Sequence, residues 1–227
     1  MINFTLRSLT LAFLTGNGYS NLNEFQMRES ICRFGKSLFD RGLTSGSTGN
    51  ISVKHGDGWI VTPTNASLGN LCPDSLSKLD KDGHMVSGDK PTKEVPLHTA
   101  MYETVADCGA VVHLHSVHSV AVSLLPETDP QDVLPPLTAY YIMKVGKTVL
   151  VPYHKPGDPL IGDAIRGLAG KYTSVLLANH GPVMAGKTLE AAVYATEELE
   201  ETSRLHLLTR GLNPRLLTAD QIAALES

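Results

Sequence analysis

VVHLHSVHS, residues 111–119, decides how the rest of the chain is read. His113 and His115 lie two apart in an apolar run. On a β-strand, residues i and i+2 project from one face, with Cα atoms about 6–7 Å apart. Such a pair can chelate one metal ion. The alternative is two histidines packed in a core, but neighbouring buried imidazoles are hard to satisfy unless something binds them. The surrounding residues predict a central strand over 110–115 and a helix capped by Ser116 that runs to about Leu125. His118 would lie on that helix as a supporting or surface group.

Reading outward, SVLLA (174–178) predicts a buried strand ended by Asn179-His180-Gly181-Pro182. A histidine pinned there by Gly-Pro is a candidate third ligand. On the N-terminal side, SGDKPTKEVPL (87–97) is a polar loop that enters a helix near Glu94, with Pro96 tolerated in the first turn. Thr92, Lys93 and Glu94 therefore sit at a helix N-terminus, where a lysine and free N–H groups favour an anion. A carboxylate there is also ordinary helix-start chemistry. His98, one turn further on, either shares the Glu94 face or packs. Two more polar loops flank one hairpin. SGSTGNISV (45–53) leads into a strand, HGDG (55–58) makes the turn, and WIVTPTNAS (59–67) ends in Thr62, Thr64 and Asn65. Loops of this composition present N–H groups and hydroxyls together, which suits a phosphate, although each is also a plain turn.

The remaining pattern is helical or extended. Residues 23–42 carry Ile31, Phe34 and Leu38 at helical steps, with Gly42 as C-terminal cap. DKDG (80–83) is a turn, 137–146 holds Tyr140 and Tyr141, 149–158 is a strand entering a turn, and 158–170 is a short helix. Residues 188–210 form a long helix whose EELEET stretch reads as a solvated face, and 218–225 form a last helix capped by Thr218.

The chain has 227 residues, 42% hydrophobic and 19% charged, with formal net charge −4. That suits one medium domain, and no basic cluster suggests nucleic acid or an anionic membrane. Cys32, Cys72 and Cys108 form no CxxC pattern, which points to a reducing, cytoplasmic setting with all three as buried small hydrophobes. MINFTLRSLTLAFLT (1–15) lacks the charged start and small-residue exit of a signal peptide. Residues 1–22 are therefore expected to be an N-terminal extension outside the core, and 23–227 a single domain. No run approaches the ~20 apolar residues of a membrane span.

Taken in order, the SxGN loop, the TPT loop, the glutamate at a helix start, HxH and NHG resemble the class II aldolase/adducin family, whose best-known enzyme is L-fuculose-phosphate aldolase. The likeness covers residues 23–227. LGNLCPDSLSKL, SGDKPTKEV, VVHLHS, VPYHKPGD, LLANHGPV and EELEET further resemble its 3-oxo-tetronate 4-phosphate decarboxylase branch. The aldolases carry two serines where this chain has Thr92 and Lys93, and a glycine where it has Asn65.

The resemblance implies an α/β fold, three α/β/α layers around a mixed, largely antiparallel sheet. It implies His113, His115 and His180 as metal ligands, and Glu94 as both ligand and acid/base. Gly49, Asn50, Thr64, Asn65, Thr92 and Lys93 fall where the family holds phosphate. Tyr140 falls where a neighbouring subunit offers a second acid/base, in a C4 homotetramer with sites at subunit interfaces. Three imidazoles and a carboxylate suit Zn²⁺, and Mn²⁺ or Co²⁺ would also bind. The implied reaction turns a phosphorylated four-carbon sugar acid into dihydroxyacetone phosphate and CO₂ through a metal-stabilised enediolate. The alternatives are a sugar-phosphate aldolase, which forms the same enediolate, or a non-catalytic adducin-like assembly domain. A cupin would lack the long C-terminal helix, and an amidohydrolase barrel needs a longer chain.

Overall fold

The computed structural model describes residues 23–226, so the expectation for 1–22 lies outside the described residues. The order is α1 (Glu24–Asp40), β1 (Asn50–His55), β2 (Gly58–Val61), β3 (Ser77–Leu79), β4 (Met85–Ser87), α2 (Val95–Thr104), β5 (Ala110–His113), α3 (Val117–Ser123), α4 (Ala139–Lys144), β6 (Thr148–Val151), α5 (Pro159–Gly167), β7 (Ser174–Leu177), β8 (Gly181–Gly186), α6 (Leu189–Thr209) and α7 (Ala219–Glu226). The strands form one sheet in the order β4-β3-β2-β1-β5-β8-β7-β6. Among the described residues only the β6–β7 pair is parallel, so the sheet is mixed and largely antiparallel, as expected.

The period-2 alternation of β5 sorts the layers. Ala110 and Val112 pack under α1 and α6 with Ile31, Leu38, Ala192 and Val193. Val111 faces the other way, into Leu97 and Met101 of α2 and Ile161 and Ile165 of α5. His113 continues the Val111 parity and so points to the face from which α2 rises. Helices on both faces give three layers, the solution for a sheet apolar on both sides. At the end of α1, Gly42 takes φ +76° and Leu43 N–H bonds the Leu38 carbonyl at 3.0 Å, a left-handed cap that only glycine adopts freely.

Several expectations need correction. The central strand ends at His113 rather than His115, although Leu114 N–H still donates to Pro182 O at 3.2 Å. SVLLA is a buried strand ended at the segment that holds His180, as expected, but a further strand follows it. His180 lies in a tight turn between β7 and β8, a strand whose Gly and Pro hide it in the sequence. Gly181 is required there, because a Cβ would stand 2.1 Å from the Leu114 carbonyl. Ser116 makes no side-chain cap to α3. The cap comes from α6, where Glu200 accepts from the N–H groups of His118 (2.9 Å) and Ser119 (2.8 Å), the Ser119 hydroxyl (2.7 Å) and His118 Nδ1 (2.8 Å). EELEET is therefore not simply a solvated face. A carboxylate at a helix start is stabilised by free N–H groups and the helix dipole, and this one anchors the segment directly after His115. Of the thiols, Cys108 is buried and Cys32 half-buried, whereas Cys72 is exposed where a 3-10 turn begins. Among the described residues no helix is long and apolar enough to cross a membrane.

Candidate metal centre

Four elements converge at one end of the sheet. β1 begins with Asn50, β5 ends with His113, and these two residues pair directly in the ladder. Glu94 is the N-cap residue of α2, and His180 projects from the β7–β8 turn. Gly49, just before β1, has φ +79°, and a Cβ there would meet the His113 carbonyl at 3.0 Å. The polar loop can enter beside the histidines only because this residue is glycine.

Ligand atoms of Glu94, His113, His115 and His180 lie within 4.8 Å of one another. The Nε2 atoms of His113 and His180 are 3.3 Å apart, and those of His115 and His113 3.2 Å. The carboxylate oxygens of Glu94 stand 3.4 Å from Nε2 of His113 and of His180. His113 Nδ1 is 2.8 Å from the Pro182 carbonyl, which can only accept. That fixes the proton on Nδ1 and leaves Nε2 as a bare lone pair aimed at the other two rings.

Glu94, His113 and His180 are 5%, 0% and 6% exposed. Burial disfavours charge on the histidines and lowers the pKa of all three, that of His180 to about 4. For Glu94, burial works against the carboxylate, but His113 and the Asn50 amide outweigh it and hold the pKa below the ordinary value. At neutral pH the cluster is three neutral imidazoles and one carboxylate. Converging lone pairs repel, and Oε1 of Glu94 is buried without a hydrogen-bond partner. A divalent cation satisfies both at once, so the donor set fits the metal that its composition implies.

Glu94, His115 and His180 form the floor of a cleft of about 260 Å³, with His113 buried beneath them. All six residues expected at a phosphate line it: Gly49, Asn50, Thr64, Asn65, Thr92 and Lys93. Ser47, Thr48 and Pro156 join them; the two hydroxyls lie in the first polar loop, and Pro156 comes from the VPYHKPGD segment. That segment meets the rim at Gly157, where a Cβ would come within 3.1 Å of Lys93 Cγ. Asn65 takes φ +59°, a conformation that asparagine tolerates better than other non-glycine residues. The Asn50 side chain is engaged at both ends, donating to Glu94 Oε2 at 2.8 Å and facing His98 through Oδ1 at 2.5 Å. Tyr140 is not in this cleft. It lies on α4, 64% exposed, in a separate groove of about 430 Å³ with Arg41, Lys144, Tyr194 and Glu197.

Comparison with known proteins agrees with this architecture. A profile of the class II aldolase and adducin N-terminal domain matches residues 29–207. A curated 3-oxo-tetronate 4-phosphate decarboxylase of Cupriavidus necator is 50% identical over 80% of this chain and 84% of that one. The decarboxylase of the same name from Escherichia coli K12 is 46% identical over 90% and 97%. L-fuculose phosphate aldolase of Methanocaldococcus jannaschii is more distant, 35% identical over 78% and 92%. The crystal structure of YgbL from Escherichia coli superposes with TM-score 0.87 at 44% identity, covering 90% of this chain and 99% of that one. The chain belongs to the class II aldolase and adducin family.

Proposed function

We propose that this protein is a metal-dependent carboxy-lyase that converts 3-oxo-tetronate 4-phosphate into dihydroxyacetone phosphate and CO₂. The observation that carries the reading is the joining of two sites in one cleft: a buried three-histidine, one-carboxylate cluster below, and a lysine with two positive-φ loops above. The nearer likeness to curated decarboxylases than to fuculose aldolases selects among the reactions such a site supports. Zn²⁺ is the metal we assign, on the donor set. The free thiols suit a cytoplasmic setting.

When bound, the cation supplies Lewis acidity at the C3 ketone and offsets the charge that CO₂ leaves behind. The chain's own residues do the rest. Lys93, Thr92, Thr64 and the N–H groups around Gly49 and Asn65 hold the C4 phosphate, which sets the C1–C2 bond over the floor. Glu94 takes the C2 hydroxyl proton on Oε1, the oxygen that the Asn50 amide does not hold. The C1–C2 bond breaks, CO₂ leaves, and the electron pair spreads over C2 and the C3 oxygen as an enediolate. Glu94 returns its proton to C2, and one proton from solvent restores the hydroxyl. Tyr140, outside its own cleft, is assigned to a neighbouring subunit's cleft in a homotetramer, as an alternative proton donor.

The test is direct. Zn²⁺-loaded protein given 3-oxo-tetronate 4-phosphate should release CO₂ and dihydroxyacetone phosphate in equal amounts. No CO₂ from fully loaded protein overturns the reading. Cleavage of a ketose 1-phosphate into two carbon fragments without CO₂ replaces it with an aldolase.

A further inference from the structure

Behind Glu94 runs a buried chain of side chains that the reaction itself does not use. We infer that His98 is a positioning residue for Glu94, acting through a one-way hydrogen-bond chain Tyr102–Ser52–His98–Asn50–Glu94. Every direction in it follows from the carboxylate. Glu94 Oε2 can only accept, so the Asn50 amide nitrogen faces it, at 2.8 Å. Asn50 Oδ1 must then face His98 Nε2, at 2.5 Å. That oxygen can only accept as well, so Nε2 carries the ring proton and Nδ1 is bare. Ser52 Oγ donates to Nδ1 at 2.7 Å. With its proton committed, Ser52 accepts from the Tyr102 hydroxyl at 2.9 Å. The Tyr102 ring is held in turn by stacking on Trp59, with centroids 5.5 Å apart. Ser52 and His98 are fully buried, so no water competes for these groups.

The chain orients rather than conducts. A primary amide cannot pass a proton between its two ends without becoming an imidic acid, so Asn50 blocks proton transfer between His98 and Glu94. What His98 does is stop Asn50 from flipping. A flipped amide would set oxygen against the Glu94 carboxylate and NH₂ against the Nε2–H, two repulsive contacts in a dry site. With Asn50 locked, Oε2 is fixed and Oε1 is the oxygen left for the cleft. The placement is economical in sequence: His98 lies one helical turn from Glu94 on α2, and Asn50 and Ser52 share one face of β1.

Two substitutions separate this role from general support. His98→Gln keeps an N–H near the Nε2 position, whereas His98→Asn keeps only a group near Nδ1. With Zn²⁺ measured by competition against a chelating indicator, His98→Asn should bind it about tenfold or more weaker, while His98→Gln stays within about threefold of wild type. On the decarboxylase reading, on which this arm alone rests, kcat of His98→Asn should fall about 10- to 100-fold with KM within about twofold, and His98→Gln should recover most of it. Independently of substrate, a long-range ¹H–¹⁵N spectrum of the metal-free protein should show His98 protonated at Nε2 and bare at Nδ1. An Nδ1–H tautomer overturns the inference. So do equal Zn²⁺ affinities in the two variants, or losses that simply follow their melting temperatures. If wild type releases no CO₂, the decarboxylase reading fails, while the tautomer and Zn²⁺ measurements still decide the role of His98.

Discussion

The floor and the rim of the cleft are built on different principles. On the floor, His113, His180, Glu94 and Asn50 are buried, and for His113, Glu94 and Asn50 the donor and acceptor roles are assigned by partners that allow no choice. On the rim, Thr64, Asn65 and Lys93 are exposed or half-exposed, and backbone turns rather than packed side chains hold them. A dry, over-determined floor holds charge in one arrangement, which chemistry at a metal needs. A hydrated rim can recognise a highly charged group without the cost of burying one, which substrate selection needs. The division predicts that floor substitutions act on metal and kcat, and rim substitutions on KM.

The largest effect should come from the floor. His180→Ala should abolish the rise in melting temperature that wild type gives on adding Zn²⁺, and lower activity about a thousandfold or more, since the cation supplies several kcal/mol of charge stabilisation. Thermal scans with and without Zn²⁺, beside the CO₂ assay, check both. Glu94→Gln should bind metal more weakly and lose about 10²- to 10⁴-fold in kcat. Full activity in that variant removes Glu94 from its acid/base role. On the rim, Lys93→Met should raise KM about 10- to 100-fold with kcat nearly unchanged, the signature of lost uniform binding. A drop in kcat at constant KM would move Lys93 from the rim to the chemistry.

The floor also predicts a pH dependence that the rim does not. His98 is lowered from 6.5 to about 3, by burial first and then by His113, and His180 to about 4, again by burial first. Both are neutral when folded and protonated when unfolded across the intervening range. In the metal-free protein their contribution is fully present above pH 6.5. It is lost as pH falls through that value, until about pH 4 for His180 and about pH 3 for His98. Each group contributes a slope of about 1.4 kcal/mol per pH unit at most. Urea unfolding of metal-free protein between pH 7 and 4 should show the slope, and His98→Gln should lessen it by about one proton's worth. Equal slopes in the two proteins would mean that the ring takes up protons inside the fold.

What was legible in the sequence divides along the same line. The clustering of His113, His115, His180 and Glu94 could be read because ligand chemistry restricts residue type, and strand ends and helix starts restrict spacing. The polar loops of the rim could be read because Gly, Ser, Thr and Asn cluster there for backbone reasons. The support behind the floor could not. Asn50 and His98 are 48 residues apart, and only the crossing of β1 and α2 brings them together. Glu200 looked like one charge among several, because nothing local reveals that α3 lacks a cap of its own. β8 is not legible because GPVMAG is short and bracketed by turn residues, and its place between β5 and β7 comes from sheet pairing, not periodicity.

The smallest effect tests whether the rim is read through backbone or side chain. Asn65 stands at φ +59° and is exposed. If the loop's task is to turn its N–H groups toward a phosphate, glycine can replace asparagine there. Glycine reaches this conformation without strain, and its cost arises in the unfolded chain, about 0.5–1 kcal/mol. Asn65→Gly should therefore melt slightly earlier and keep KM within about twofold, since the turn itself is preserved. Asn65→Val places a β-branched residue in the left-handed region at a cost of about 1–3 kcal/mol, and should raise KM by distorting the same turn. A tenfold rise in KM for Asn65→Gly would instead assign the contact to the carboxamide. At this position the rim would then be built like the floor, on a committed side chain.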